Sequence, residues 1–174
     1  MNQIRARLDQ TGARTALVRG ASAPPRPPDT VTVAPGVARS VGLDGGSPPL
    51  YVTAEAPSGR TVREYDGDAG AAADCAAELT AERDPRAVWL CERAQIRSWW
   101  SERIAEFLER RLADAARGAD ARLVVWTGES GGVGESGGIG ESGGVGESGG
   151  STESNDSTES DAAVGDRYDV VLDR

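Results

Sequence analysis

Arg93, Gln95 and Arg97 lie within the seven residues Glu92-Arg93-Ala94-Gln95-Ile96-Arg97-Ser98, between an apolar run and the strongest helical pattern in the chain. Two guanidinium groups and an amide beside a helix N-terminus suit a small anion such as phosphate, because the first amides of a helix are unpaired and partly positive. The competing reading is structural: Arg93 and Arg97 stand in solvent or pair with Glu92 and Glu102. Glu64, Asp66 and Asp68 alternate at a strand end, a spacing that can chelate Mg²⁺ or Ca²⁺. They lack the further ligands of a calcium loop, and Asp68 is placed to cap a helix, so no metal site is expected. Cys91 can be drawn as a nucleophile beside a helix N-terminus, but its apolar strand points to the core. Trp89, Trp99, Trp100 and Trp126 can stack on nucleobases, although strand and helix positions more often mean packing.

Composition removes much other chemistry. All 19 basic residues are arginine, and there is no histidine. The chain therefore has no imidazole for proton transfer or metal ligation and no lysine for a Schiff base. Cys75 and Cys91 are the only cysteines; both are expected as free thiols in a reducing compartment. No apolar run approaches the roughly 18 residues of a membrane span, and residues 1–20 lack the apolar core of a secretory signal. A cytoplasmic protein with no cofactor and no membrane partner is expected.

The formal net charge of −9 is unevenly spread. Residues 128–163 repeat in hexads, GESGGV, GESGGI, GESGGV, GESGGS, TESNDS and TESDAA, and carry eight carboxylates with no arginine. The remainder has 20 acidic residues against 19 arginines. A hexapeptide β-helix with Val133, Ile139 and Val145 as corners would complete only about one coil, and the glycine content makes ordering costly. A disordered acidic insert is expected instead. It is either a tolerated repeat expansion or an arm that reaches a basic site. The near-neutral body argues against a broad nucleic-acid footprint.

The elements that would position these residues follow from pattern. Residues 1–30 form an N-terminal segment with a short helix around Ile4 and Leu8 and a linker, ASAPPRPPDT, stiffened by its prolines. The α/β body spans 31–127. Val31–Val33 is a short strand; 50–55 and 60–65 form a hairpin about Ala56-Pro57-Ser58-Gly59. Asp68 caps a helix over 69–83, which Asp84-Pro85 ends. Residues 87–91 are continuously apolar, as for a strand buried on both faces. Ser98 caps a helix over 99–117 whose stripe is Trp100, Ile104, Phe107, Leu108 and Leu112, with a Glu106–Arg110 pair on its other face. Gly118 stops it. Strand 121–126 should pair in parallel with 87–91. The last strand, within 164–174, is expected beside 121–126, so the insert 128–163 separates neighbours. The fold class is α/β: a small two-layer sandwich, a mixed sheet in ββαβαβ order with a long disordered insert before the last strand.

The arginine-only, lysine-free, Ala/Gly/Asp-rich composition resembles that of small uncharacterised proteins of halophilic archaea. The stretch Arg110-Arg111-Leu112-Ala113-Asp114-Ala115-Ala116-Arg117-Gly118 with Ala121-Arg122-Leu123-Val124-Val125 resembles the helix-to-strand step of phospholipase-D-like domains. The catalytic histidine and lysine of that family are absent, so the resemblance implies at most a non-catalytic relative of the kind found in sugar-responsive regulators.

Three functions are open. The first is a non-enzymatic interaction or regulatory domain that binds a small anion or a protein. The second is a carboxylate- and metal-dependent enzyme acting on a phosphorylated substrate, which needs Glu92 or Asp66/Asp68 to converge with Arg93 and Arg97. The third is a weak nucleic-acid binder, which needs an uninterrupted arginine face; Glu102, Glu106 and Glu109 break that face.

Overall fold

The computed structural model describes residues 3–24, 29–36, 49–56, 59–128 and 167–173. Their elements run α1 (Gln3–Thr11), β1 (Thr15–Arg19), β2 (Thr30–Pro35), β3 (Leu50–Ala56), β4 (Gly59–Tyr65), α2 (Ala69–Arg83), β5 (Ala87–Leu90), α3 (Arg93–Trp99), α4 (Glu102–Gly118), β6 (Arg122–Trp126) and β7 (Val170–Asp173). The strands form one mixed sheet in the order β4-β3-β2-β5-β6-β1-β7. The α/β class, the mixed sheet and a strand after the insert are as the sequence implied. The insert itself, residues 25–28 of the linker, the centre of the β3–β4 turn and the segment 37–48 lie outside the described residues.

The hairpin and the parallel β5–β6 pair form where the pattern placed them, with Leu50 opposite Tyr65 and Ala87 opposite Arg122. Helix α2 spans the expected residues because Asp68 accepts a hydrogen bond from the Ala71 amide at 2.8 Å, and Asp84 closes its end in a left-handed conformation. Small residues on α2 (Ala72, Ala73, Cys75 and Ala76, all buried) let it lie close to α4. Leu108, Leu112, Ala105 and Ala116 form the buried stripe of α4; Ile104, Phe107 and Trp100 pack at its margin.

Strand register divides the sheet into two faces. Leu17, Val31, Val33, Val52, Val88, Leu90, Leu123 and Val125 face α2, α3 and α4. Ala16, Val18, Trp89, Val124 and Trp126 face the other way, where Leu8 and Ile4 of α1 cover them. The sandwich thus gains a partial third layer from a segment that the sequence placed outside the body.

Three local expectations are corrected. The loop 92–98 is a helix, and Ser98 lies inside it; the true cap of α4 is Ser101, which accepts from the Ile104 amide at 3.3 Å. Glu106 pairs with Arg167 rather than Arg110. Most consequentially, the last strand does not lie beside β6. Strand β1 occupies that place and pairs in parallel with β6 on one side and β7 on the other. Thr15–Arg19 escaped notice because it is five residues long and buried on both faces, so it shows no alternation.

This topology changes what residues 129–166 must accomplish. β6 and β7 run in the same direction, so the chain leaves one edge of the sheet after Trp126 and re-enters at the opposite edge before Val170. That crossing covers about 17 Å along the strands and two strand spacings of about 4.8 Å sideways. Parallel connections require about a dozen residues. We expect a variant with residues 128–163 replaced by a flexible linker of about twelve residues to unfold cooperatively near the parental midpoint. Joining Thr127 directly to Asp169 leaves two residues for a crossing of about 20 Å and should instead detach β7 and lower the midpoint by several degrees. Thermal circular dichroism distinguishes the two, and equal midpoints would refute this topology.

Candidate functional site

Arg93, Gln95 and Arg97 do lie together on α3, but they do not form a free anion cradle. The Arg93 guanidinium is turned beneath α4, 3% exposed at the side chain, and donates to Glu102 and to Glu109. Burial alone would lower its pKa. The hydrogen bond to Glu102 and the charge of Glu109 outweigh that and hold it above its usual value. Arg97 Nε lies 3.9 Å from Glu102 Oε2, and Gln95 is half-buried. The amides of Gln95 and Ile96 donate to the Glu92 carbonyl, and that of Ala94 donates to the Thr127 carbonyl at 3.2 Å. The pairing with Glu102, one of the two readings of this loop, is the one that forms.

Tyr168, two residues before β7, lies beside this network. Its hydroxyl is buried without a hydrogen-bond partner. Desolvation first, and then the charge of Glu109, push its pKa well above the usual phenol range. Arg167, next in the chain, pairs with Glu106 at 2.7 Å. A guanidinium held by two carboxylates inside a protein is a structural tie, since removing one partner strands a buried charge.

The other candidate chemistry is dispersed. Asp66 and Asp68 are exposed at the start of α2, and Asp68 serves as its cap. Among the described residues, no three carboxylates or thiols are grouped to hold a metal ion. Neither cysteine is in a disulfide; Cys75 is buried, whereas Cys91 is only half-buried. None of the three cavities described below and in the following subsections is lined by Glu92, Asp66 or Asp68. Trp99 is half-buried at the end of α3.

A different set of arginines lines two adjoining cavities at the amino-terminal edge of the sheet, about 570 and 270 Å³ in volume. Arg14 and Arg117 border the larger, Arg110 the smaller, and Arg167 both. Their floor is small: Ala13, Ala113, Ala116 and Ala121. Thr15 and Leu123 lie where the two meet. The α4 positions 106, 110, 113 and 117 share one helical stripe, so a single helix supplies one wall. The edge already seats one negative group. Asp169 accepts from the amides of Arg14 at 2.8 Å and Thr15 at 2.9 Å, and these donors hold its carboxyl below the usual range.

The ion pairs of this cleft differ in kind from that of Arg93. Arg14 with Asp120 is 59% and 85% exposed, and Arg117 with Asp114 is 68% and 67% exposed. Such pairs contribute about 0–1 kcal/mol, so another anion can displace them at small cost. Arg110 is exposed, and no ion pair engages it among the described residues. The sequence signal for this site was the arginine immediately before β1, and it has meaning only once β1 is recognised as a central strand.

Comparison with protein-family models, with curated proteins and with solved structures found no match. No helix among the described residues is long and apolar enough to cross a membrane.

Two predictions test this account. Glu109→Ala should cost about 3–5 kcal/mol in denaturant unfolding, against less than about 1 kcal/mol for Asp114→Ala; equal losses would show that the Arg93 tie is not structural. The folded pKa of Asp169 lies below the ordinary value of an aspartate, so its stabilisation is present above that ordinary value and is lost as pH falls through the folded value. The difference in thermal midpoint between the parent and Asp169→Asn should therefore shrink as pH is lowered from 5 toward 2 (about the window of the shift). A constant difference would contradict this assignment.

Proposed function

We propose that this protein is a non-enzymatic binding domain whose ligand is a small anion held in the amino-edge cleft. The observation that carries this reading is the contrast between two sets of arginines. Arg93 is committed to Glu102 and Glu109 in the interior. Arg14, Arg110, Arg117 and Arg167 line open cavities; Arg110 has no ion-pair partner among the described residues, Arg14 and Arg117 are held by exposed carboxylates, and Arg167 by the half-buried Glu106. Guanidinium groups suit phosphate and carboxylate geometry through paired N–H donors. The alanine floor leaves space for a compact ligand, and the two volumes fall in or near the range of small-molecule sites.

A non-catalytic role fits the chemistry present. The chain has no histidine or lysine. The buried carboxylate nearest the cleft, Glu109, is tied to Arg93. Interaction with a protein partner, localisation in the cytoplasm and an origin in a high-salt organism are further parts of this proposal. They rest on composition. Screening at high salt would weaken the exposed pairs and favour multidentate ligands over single-point contacts.

The test is thermal unfolding of the whole chain at fixed ionic strength with increasing inorganic phosphate or pyrophosphate. A ligand that binds the folded state raises the midpoint by mass action. The expected result is a saturable rise, larger for pyrophosphate, that Arg110→Ala and Arg14→Ala each diminish and Arg103→Ala leaves intact. A midpoint that tracks ionic strength alone, or a rise indifferent to Arg110 and Arg14, would refute it.

A further inference from the structure

The second sheet face holds a separate cavity at the opposite edge. Helix α1 covers this face near β6 and β1. Over β2, β3 and β5 there is instead a cleft of about 580 Å³, lined by Thr32, Tyr51, Thr53, Trp89, Cys91 and Trp126. Pro35, Cys91 and Trp126 lie at the carboxyl ends of β2, β5 and β6, which run in parallel. The crevice outside the carboxyl ends of parallel strands is where open α/β sheets bind ligands. The chain after β1 borders it through Ala23 and Pro24.

Two independent observations mark this cleft as unfinished. Trp126 and Trp89 are both buried in its wall, at 6% and 3% exposure. Trp126 Nε1 donates to the Gly20 carbonyl at 3.0 Å, but Trp89 Nε1 meets no acceptor. An unpaired donor of this kind is uncommon in a folded interior and calls for a cause. Val62, which also lines the cleft, is the only exposed large apolar side chain among the described residues, at 53%.

We propose that the cleft binds a planar heteroaromatic ring bearing an in-plane hydrogen-bond acceptor, a ring nitrogen or a carbonyl. Three aromatic side chains offer faces and edges against which such a ring stacks. Its acceptor supplies the partner that the Trp89 N–H lacks, and Val62 covers its outer edge. An alkyl chain would leave the N–H unpaired, and a bare anion would meet Arg60, which also lines the cleft, but would leave the aromatic wall unused. The site is distinct from the arginine cleft, which lies at the other end of the strands.

The experiment is titration of the full chain with adenosine, uridine and inorganic phosphate, read by tryptophan fluorescence. Saturable quenching by at least one nucleoside and none by phosphate is expected. Trp89→Phe retains an aromatic face but removes the pyrrole ring with its N–H, so it should weaken nucleoside binding at least about tenfold, the worth of one hydrogen bond. Trp99→Phe, outside the cleft, should leave the affinity unchanged. If Trp89→Phe does not fold, Val62→Arg at the exposed rim serves instead, with a similar loss expected. No saturable response to either nucleoside would overturn the proposal, and so would binding that is indifferent to both Trp89 and Val62. Phosphate stabilisation that depends on Arg110 would be unaffected by either outcome.

Discussion

The Arg93 tie is the interaction on which the helical layer depends. Strand β5 ends at Leu90, and three residues later Arg93 is already beneath α4, bound to carboxylates two turns apart on that helix. Helix α3 is only seven residues long, too short to be stable by itself. Its position follows from three constraints acting together: Arg93 on α4, Ile96 in the core, and the Ala94 amide on the Thr127 carbonyl. Through Thr127 the same loop is joined to the end of β6, whose amide in turn donates to the Val18 carbonyl of β1. A buried ionic group is not a strong source of stability in itself, because desolvation offsets the Coulomb gain. Its effect here is directional. It allows one register of α3 against α4.

The two clefts follow from this arrangement. Because α4 is anchored at Glu102 and Glu109, its last turns lie over the start of β6 and β1, and the stripe from Glu106 to Arg117 faces the amino edge. Because both helix-bearing connections, α2 between β4 and β5 and α3–α4 between β5 and β6, pass over one face, the other face is left to α1 and to the segment after β1. The short reach of α1 leaves the carboxyl ends of β2 and β5 uncovered by any described helix.

Much of the fold was legible where local rules and tertiary context agree. Helix α2 was legible because a capping aspartate, alanine-rich small faces and Asp84-Pro85 mark both ends. The hairpin and the β5–β6 pair were legible from alternation and from the helix between them. Strand β1 and helix α3 were not. Thr15–Arg19 is a central strand flanked by arginines that read as surface, and Glu92–Ser98 has no cap residue, since Glu92 enters the helix in a left-handed conformation. The anion site illustrates the same limit. Sequence spacing identified arginines beside a helix start, but whether a guanidinium faces solvent or a carboxylate is decided by packing between elements. Arg93 and Arg110 are indistinguishable by type; one is buried against Glu109 and the other is exposed one residue further along α4.

The parallel placement of β6 and β7 sets a floor on the length of the chain between them and no ceiling. Below roughly a dozen residues the crossing cannot be made, whereas each doubling above that adds only about 0.6 kcal/mol of closure entropy. A hexad repeat at this point can gain or lose units through replication slippage with almost no selective penalty from the fold. The fold therefore tolerates a wide range of hexad numbers, whereas Tyr168 and Asp169, just before β7, are held in place by the body.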